Sequence, residues 1–339
     1  MSPKSLSNFT TLHVGGPAQK LIRATTEVEL ISAIDEADSN NQPLLILGGG
    51  SNVLVGDDGF QGTVILVETK GNSYEIDACS GGLLTIAAGE DWDQFVEFTI
   101  EKGLANLESL SGIPGTIGGA PIQNIGAYGH EVGEVIARLR TYDRTDKKVV
   151  TFTADQCDFS YRSSKFKKES PRYVVLDVTF HLRNGEMSLP VGYAELAKEL
   201  GVEIGARAPI AEVREAVLRL RQRKGMLVNQ NIWSAGSFFT NPILSAADAA
   251  KLPADAPRWP QTNGDVKTSA AWLMEHAGVS KGDQLHGAQI SPLHVLALTN
   301  SGSATAADLI ELARAARAKV REKFGITLEP EVRLVGVEL

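Results

Sequence analysis

Two glycine-rich segments carry the residue types best suited to hold a phosphorylated ligand. The first reads Gly-Gly-Gly-Ser-Asn at residues 48–52 and directly follows an apolar run at residues 44–47. Consecutive glycines free backbone N–H groups to converge on an anion, and the missing Cβ atoms let a diphosphate approach closely. The segment lacks the lysine of a P-loop, and Val53 stands where the Rossmann fingerprint needs a glycine. These two common nucleotide-binding folds are therefore disfavoured.

The second segment, residues 108–129, contains two prolines and has glycine at positions 112, 115, 118, 119, 126 and 129. This composition excludes a long regular helix or strand. Polar side chains between the glycines can hydrogen-bond both phosphates and the edge of a heteroaromatic ring. They are Ser111, Thr116, Gln123 and Asn124. Glycines that only turn the chain are the alternative, but an irregular run of this length is usually functional. Two separated loops suit a long dinucleotide.

The elements around these loops indicate an α+β protein. Thr26 and Glu29 form a capping-box pattern that predicts the start of a helix, and Asp91 is placed to cap a second one. Apolar residues at helical spacing predict further helices over residues 209–224, 268–276 and 305–324. Strand patterns occur at residues 44–47, 53–55, 63–67, 83–88, 135–142, 148–152, 173–182 and 331–337.

Length and charge limit the class of protein. At 339 residues the chain exceeds one ordinary hydrophobic core, so we expect two or three globular units. The formal net charge of −8 argues against a nucleic-acid binder, whose affinity would come from Lys and Arg on phosphates. Small anionic ligands stay compatible with an acidic chain, because a local cluster of basic residues can form a positive pocket.

The cysteines and apolar runs suggest a cellular location, and the histidines bear on metal binding. Cys79 and Cys157 form no disulfide or metal-ligand pattern, which fits a reducing compartment. No apolar run has the length of a signal-peptide core or of a membrane span. We therefore expect a cytoplasmic protein that binds no membrane. The histidines show no metal-ligand spacing, so no metal site is expected.

Five sequence motifs occur in an order typical of one family. They read LGGGSNVLV at residues 47–55, SGIPGTIGGAPIQNIGAYG at 111–129, SYR at 160–162, AGSFFTNP at 235–242 and LEPEVRLVG at 328–336. Together they resemble the UDP-N-acetylenolpyruvoylglucosamine reductase family, and Tyr193 resembles the substrate-capping tyrosine of its longer form.

The resemblance implies a vanillyl-alcohol oxidase/PCMH-type FAD-binding fold of class α+β. Residues 1–70 would form one FAD-binding subdomain, completed by a C-terminal strand at 329–339. Residues 71–205 would form the second subdomain. A smaller α+β substrate-binding domain would occupy residues 206–328.

The resemblance also implies a reaction of peptidoglycan synthesis. NADPH reduces non-covalently bound FAD, and the flavin then reduces the enolpyruvyl ether of UDP-N-acetylglucosamine to UDP-N-acetylmuramate. Hydride adds to the vinyl carbon, so negative charge develops on the neighbouring carbon and its carboxylate and must be stabilised. By resemblance, Arg162 and Glu331 stabilise this charge and Ser237 donates the proton. Arg162 suits a carboxylate because its guanidinium is always charged and forked.

Each of these three residues has a simpler interpretation. Ser237 could fit a tight turn among small residues. Arg162 could be a solvated member of the charge run RSSKFKK, and Glu331 could be an exposed strand residue. Only the joint match with the family favours the catalytic interpretation.

The resemblance carries over further binding positions. It implies FAD contacts from Leu47, Gly48, Gly49, Gly50, Ser51, Asn52, Val53, Leu54, Ser111, Gly112, Ile113, Pro114, Gly115, Gly118, Gly119, Ala120, Gln123, Asn124, Gly126, Ala127, Arg221 and Arg333. It implies substrate contacts from Tyr128, Tyr193, Lys224, Asn241 and His294. Some members have a glutamine where this chain has His294. The solvated face of an amphipathic helix is the alternative for Arg221 and Lys224.

Two other functions remain open at this point. A flavin oxidase of the same fold would return electrons to oxygen, and many such proteins tether FAD to a histidine or cysteine. Neither glycine-rich motif contains a histidine. A non-enzymatic nucleotide-binding module would keep the glycine loops but would have no use for Arg162, Ser237 and Glu331 together.

Overall fold

The computed structural model describes residues 5–77, 79–227 and 232–339. We number its elements in chain order. The helices are α1 (Glu27–Ser39), α2 (Trp92–Glu101), α3 (Lys165–Lys168), α4 (Ala194–Leu200), α5 (Ile210–Arg223), α6 (Ala246–Ala249), α7 (Ala270–His276) and α8 (Ala306–Phe324). The strands are β1 (Ala18–Ala24), β2 (Leu44–Leu47), β3 (Val53–Val55), β4 (Phe60–Val67), β5 (Asn72–Asp77), β6 (Gly81–Ala87), β7 (Leu104–Ala105), β8 (Gly126–Ala127), β9 (His130–Glu131), β10 (Ile136–Asp143), β11 (Lys148–Thr153), β12 (Tyr173–Asn184), β13 (Trp233–Ser237), β14 (Ile243–Leu244), β15 (Arg258–Pro260), β16 (Val266–Thr268), β17 (Gln284–Leu285), β18 (Ala288–Ile290), β19 (Ala297–Asn300) and β20 (Arg333–Val335).

Local capping interactions begin and end the helices that the sequence predicts. The Thr26 side chain accepts from the Glu29 N–H and the Glu29 side chain closes the capping box, so α1 begins as predicted. Asp91 caps α2 by accepting from the Gln94 N–H. Helix α8 begins with a capping box at Thr305 and ends at Gly325 in the left-handed conformation.

The strands agree less well with the sequence patterns. The C-terminal strand, predicted over residues 331–337, covers only Arg333–Val335. It begins late because the Glu331 N–H donates to the Phe238 carbonyl oxygen instead of joining the ladder. The sequence patterns miss twelve strands, namely β1, β5, β7 to β9 and β13 to β19. Every residue of β5 is exposed, so no apolar alternation marks that strand.

Contacts divide the chain into two compact units. The N-unit comprises residues 18–50 and 61–227, and the C-unit comprises the described parts of residues 1–17, 51–60 and 228–339. Each unit has its own apolar core. The division into three domains that the family resemblance implies stays a prediction.

The N-unit contains two larger sheets, the short pair β8-β9 and the aromatic core that supports the larger sheets. Strands β2 and β4 pair in parallel, and the first sheet has the order β1-β4-β2. The second sheet is antiparallel in the order β11-β10-β12-β6-β5. Helix α2 contributes the buried side chains of Trp92 and Phe95, which pack against Phe180 of β12 with ring centroids 6.1 and 4.8 Å away. The parallel pair ends its strands at one edge, where the first glycine-rich segment begins.

The C-unit combines an antiparallel sheet, in the order β13-β19-β18-β17, with helices α7 and α8. A separate parallel pair joins β20 to β3, in the register Arg333 opposite Val53. Phe238, Leu273 and Leu309 are buried in its core. The residues directly after β13 and before β20 therefore lie against one packed interior.

We predict that Trp92→Phe lowers the free energy of unfolding by about 2 kcal/mol, because it leaves the Leu110 carbonyl without its donor and removes buried volume. The Trp92 Nε1 donates to this carbonyl at 3.0 Å. Urea unfolding measures the change. Trp259→Phe, at a residue 43% exposed, is the matched control and should change stability little. Equal stability of Trp92→Phe and wild type would contradict this account.

Candidate active site

A cleft of about 440 Å³ opens at one edge of the N-unit. Thr25 follows β1, Gly48 and Gly49 follow β2, and Lys70 lies shortly after β4. The other lining residues are Val67, Glu68, Gly89 and Thr116. Ligands of α/β proteins bind outside the carboxyl ends of parallel strands, since loops from neighbouring strands meet there. The cleft therefore lies where the first glycine-rich segment can contribute its backbone.

The two glycine-rich segments touch each other at this cleft. A Cβ built on Gly49 would lie 2.9 Å from the Cα of Gly115, and one on Gly48 would lie 2.4 Å from Thr116 Oγ1. Among the described residues, the N–H groups of Gly49 and Gly50 donate no backbone hydrogen bond. Glycine backbone whose N–H groups can still donate suits the binding of a diphosphate. The interpretation that these glycines only turn the chain does not explain this contact.

The remaining residues of the first motif have mainly structural contacts. The side chains of Leu47, Val53 and Leu54 are buried, so only their backbone is left for a ligand. Asn52 donates from Nδ2 to the Glu331 carbonyl oxygen at 3.1 Å, and the Arg333 N–H donates back to the Asn52 carbonyl oxygen at 3.0 Å. Asn52 therefore ties the first motif to the segment that carries Glu331, a role that sequence reasoning missed.

Helices α2 and α5 hold the start of the second glycine-rich segment. The Gly112 N–H donates to Asp93 Oδ1 at 2.6 Å, and the Gly112 carbonyl accepts from Arg221 Nε at 3.1 Å. Ser111 is buried, and its hydroxyl donates to the Glu108 carbonyl. Asp93 is also paired with Arg214 at 2.7 Å. These contacts fix the backbone of Gly112 rather than leave it to a ligand.

Arg221 is a buried cation that forms no direct ion pair in the described part of the chain, although the Asp93 carboxylate acts on it through space. It is only 8% exposed, and its guanidinium bonds the carbonyls of Gly112 and Met226. Burial lowers the pKa of Arg221. Because a buried charge is costly unless it is paired, this site suits an anionic ligand. The alternative of a solvated helix face is wrong for Arg221.

Asn124 connects the second glycine-rich segment to the SYR motif. It is 1% exposed and has a left-handed backbone, with φ of 48°. Its Nδ2 donates to Glu131 Oε2 at 2.5 Å and to the Ser160 carbonyl at 3.1 Å, and its Oδ1 accepts from the Gly133 N–H at 2.9 Å. Both ends of this amide are occupied by protein groups. Asn124 therefore acts as a structural link.

Arg162 lies at the tip of a tight turn. Ser160 and Ser163 exchange backbone hydrogen bonds of 3.0 Å, which leaves Tyr161 and Arg162 as the turn residues. Arg162 has φ of 51°, a strained value for a non-glycine residue that is common at functional sites. Its half-buried guanidinium donates from Nη2 to the Gly126 carbonyl at 2.8 Å. Arg162 is therefore not a freely solvated member of its charge run.

The three lysines of that charge run all bond to other groups of the protein. Lys165 pairs with Glu169 at 2.7 Å, and Lys168 pairs with Asp158 at 2.5 Å. Lys167 donates from Nζ to the Arg162 carbonyl at 2.9 Å. This bond adds to the support of the turn.

In the C-unit, the backbone of Phe238 brings Ser237 and Glu331 together. The Phe238 N–H donates to Leu296, and its carbonyl accepts from the Glu331 N–H. Ser237 is the last residue of β13 and follows a bulge, since β13 advances three residues from Ser234 to Ser237 while β19 advances two. Ser237 Oγ lies 3.4 Å from His294 Nε2. Ser237 is thus part of a strand and not of a free turn.

The predicted substrate residues lie in both units. In the N-unit, Tyr128 packs edge-on against Tyr193 with ring centroids 5.5 Å apart, and burial raises the pKa of Tyr128 to about 12. Lys224 pairs with Glu195 at 2.5 Å. In the C-unit, Asn241 Oδ1 accepts from the Ala270 N–H at the start of α7. Lys224 therefore has a protein partner that a ligand would have to share or replace.

Sequence reasoning missed part of the cleft. Thr25, Lys70 and Gly89 belong to no glycine-rich segment or family motif, yet they line it. Lys70 Nζ donates to the Gly89 carbonyl at 2.8 Å and to Glu90 Oε2 at 3.1 Å. Lys70 and Gly89 lie just beyond predicted strands, and this position is their only sequence signal. Thr25 follows β1, which the sequence does not predict.

Comparisons with known proteins agree over the whole chain. Residues 228–335 match the family model described as UDP-N-acetylenolpyruvoylglucosamine reductase, C-terminal domain, and residues 18–153 match the model described as FAD binding domain. The UDP-N-acetylenolpyruvoylglucosamine reductase of Cutibacterium acnes is 55% identical, over 98% of this chain and 89% of that protein. The one of Streptomyces avermitilis is 49% identical, over 98% and 94%. The crystal structure of UDP-N-acetylenolpyruvylglucosamine reductase from Thermus caldophilus has a TM-score of 0.68 at 27% identity, over 98% of this chain and 97% of that one.

We predict that Gly49→Ala weakens FAD binding at least about tenfold, or 1.4 kcal/mol, because the new Cβ would push against the backbone of Gly115. Titration of the flavin-free protein with FAD, followed by flavin fluorescence, measures the change. Gly192→Ala is the control, since a Cβ at Gly192 meets nothing within 4 Å. Wild-type affinity in Gly49→Ala would show that the contact between the segments does not shape the FAD site.

We predict that Asn124→Asp destabilises the protein by about 2 kcal/mol, because a carboxylate cannot donate to Glu131 or to the Ser160 carbonyl and repels both. It keeps the size of the side chain and the acceptor for Gly133. Urea unfolding of the FAD-loaded protein measures the effect. Asn72→Asp, at an exposed position of β5, controls for the added charge. A change no larger than that of the control would remove Asn124 from this role.

Proposed function

Because this chain belongs to the UDP-N-acetylenolpyruvoylglucosamine reductase family, we propose that Arg162, Ser237 and Glu331 perform the chemistry of its reaction. The protein is an FAD-dependent oxidoreductase of peptidoglycan synthesis, with NADPH as the electron donor. Its fold is α+β and contains a PCMH-type FAD-binding domain. The proposal concerns the residues, the order of their action and the ligands that they bind.

Ser237 donates the proton that completes the reduction of the enolpyruvyl group. The observation that carries this assignment is the network around Phe238, which places Ser237 and Glu331 on two adjoining segments. A serine hydroxyl is a weak acid in water, so transfer of its proton depends on proximity and on a strongly basic acceptor. The bulge before Ser237 supports the role, since bulges next to active sites re-aim a side chain.

Arg162 stabilises the negative charge that develops on the substrate carboxylate. Its guanidinium is charged at every relevant pH and can form two parallel hydrogen bonds to a carboxylate. The strained backbone of the turn and the bond to the Gly126 carbonyl hold this side chain in one region. Glu331 acts on the same developing charge. Because an ionised carboxylate alone would be repelled by the substrate carboxylate, Glu331 acts either in its protonated form or with its charge balanced by a neighbouring arginine.

The glycine-rich segments and Arg221 hold FAD. The N–H groups of Gly49 and Gly50 can donate to the diphosphate, and Arg221 supplies a buried positive charge. Held there, FAD would supply hydride transfer between NADPH and the second substrate. The cleft suits a diphosphate because three of its eight lining residues are glycines and Lys70 adds a positive charge.

The second substrate is UDP-N-acetylglucosamine enolpyruvate. The residues proposed to contact it are Tyr128, Tyr193, Lys224, Asn241 and His294. The aromatic pair offers flat faces, and Lys224 offers a charge for the diphosphate.

No helix in the described part of the chain combines the length and apolarity that crossing a bilayer requires. We place the enzyme in the cytoplasm, where NADPH and the UDP-sugar are available.

The proposal predicts the visible spectrum of the anaerobic enzyme. The oxidised flavin bands bleach when NADPH is added, and they return when the enolpyruvyl UDP-sugar follows. Flavin that stays reduced until oxygen is admitted would support a flavin oxidase instead. Folded protein that shows no flavin spectrum after incubation with FAD would contradict the assignment of the cofactor.

We predict that Ser237→Ala reduces flavin reoxidation by the UDP-sugar about 1000-fold, within the range of a lost general acid, and leaves flavin reduction by NADPH intact. Anaerobic stopped-flow absorbance separates the two half-reactions. Ser303→Ala, at an exposed loop position of the same unit, is the control. Equal loss in both half-reactions would mean that Ser237 supports the structure and donates no proton.

A further inference from the structure

We infer that His294 relays a proton to Ser237 during the reduction of the enolpyruvyl substrate. The inference rests on the proposed role of Ser237 and extends it, because a serine that gives up its proton must be resupplied. His294 Nε2 lies 3.4 Å from Ser237 Oγ, within hydrogen-bond distance. Hydrogen bonds of catalytic groups are often long before substrate binds and shorten in the reacting complex.

The backbone around both residues is held firmly. Ser237 is placed by the bulge in β13 and by the hydrogen bond from the next residue, Phe238, to the Leu296 carbonyl. His294 lies in the connection between β18 and β19. Within this connection the Ala297 N–H donates to the His294 carbonyl at 3.0 Å, and the Ser291 N–H donates to the Ala297 carbonyl at 2.8 Å. The serine therefore ends β13, and the histidine lies in the connection that leads into the neighbouring strand β19.

Charged residues reach the network around Ser237 on the segment that pairs with Phe238. Strands β13 and β19 contain no charged residue, and the connection at residues 291–296 contains only His294 as a titratable group. The segment that pairs with Phe238 carries Glu329, Glu331 and Arg333. Glu329 faces Arg317 at 3.7 Å. Glu331 is therefore a titratable group of this network whose ionisation a pH experiment must separate from that of His294.

The relay moves two protons in one step. The Ser237 O–H bond breaks, and its proton forms the new C–H bond at the carbon that carries negative charge after hydride addition. In the same step the imidazolium Nε2–H of His294 breaks and its proton re-forms the serine hydroxyl. No free alkoxide, which would be very basic, has to exist. The neutral imidazole then regains a proton from water, so the turnover consumes one solvent proton and no further reductant.

The first test is a double-mutant cycle on the rate of flavin reoxidation. We expect His294→Gln to slow reoxidation about 100-fold, because glutamine can hydrogen-bond to Ser237 but cannot supply a proton. Flavin reduction by NADPH in the same samples should be unchanged. In the Ser237→Ala background, His294→Gln should add nothing, since the relay has lost its only recipient. His286→Gln, at an exposed histidine of the same sheet, is the control.

The second test is the pH profile of reoxidation. Wild-type reoxidation should slow as pH rises through the titration of His294, because the imidazolium form is used, and His294→Gln should lack this limb. Limbs from Glu331 or from the substrate should remain in both proteins. A structural role would lower the rate at every pH without changing the profile.

The outcomes separate the relay from the assignment of Ser237. Fast reoxidation in Ser237→Ala contradicts the proposed proton donor itself. Slow Ser237→Ala with normal His294→Gln overturns only the relay. The relay is also overturned if His294→Gln slows both backgrounds equally or impairs reduction by NADPH, since His294 would then act independently of Ser237 or support the fold.

Discussion

The close approach of Gly49 to Gly115 is the contact on which the cofactor cleft depends. With no Cβ on either residue, two backbones meet at a distance that any side chain would prevent. The contact persists because helix α2 holds the second segment from behind. Trp92 bonds the Leu110 carbonyl and Asp93 bonds the Gly112 N–H. The aromatic core of the N-unit and the backbone that faces FAD are thus parts of one support.

Two asparagines of the glycine-rich motifs share one role in different units. Asn52 bonds the carbonyl of Glu331, and Asn124 bonds the carbonyl of Ser160, two residues before Arg162. In both cases a side-chain amide joins a motif expected to bind FAD to a segment that carries a candidate catalytic residue. Asn124 is buried with both ends of its amide occupied, and a satisfied buried amide holds such a junction in one geometry. This use explains why an amide, rather than a carboxylate, suits these positions.

In the C-unit, Phe238 links the core to the segments that carry the candidate catalytic residues. Phe238 buries its ring in the core and uses its N–H and carbonyl to join the segments on both sides. Ser237 precedes it, Glu331 bonds it, and Leu296 accepts from it near His294. A single buried aromatic residue therefore couples the packing of the core to the position of three groups proposed to act on the substrate.

The sequence alone determined the features that depend on near neighbours. Capping residues such as Thr26, Asp91 and Thr305 begin their helices through bonds within four residues, so the pattern suffices. The five motifs likewise predict the family and its FAD cofactor. Only the tertiary structure decided which groups are engaged elsewhere: that Asn124 is a link and that His294 meets Ser237. These contacts join residues 36 and 57 positions apart. Their partners are chosen by how strands and turns pack, which no local pattern records.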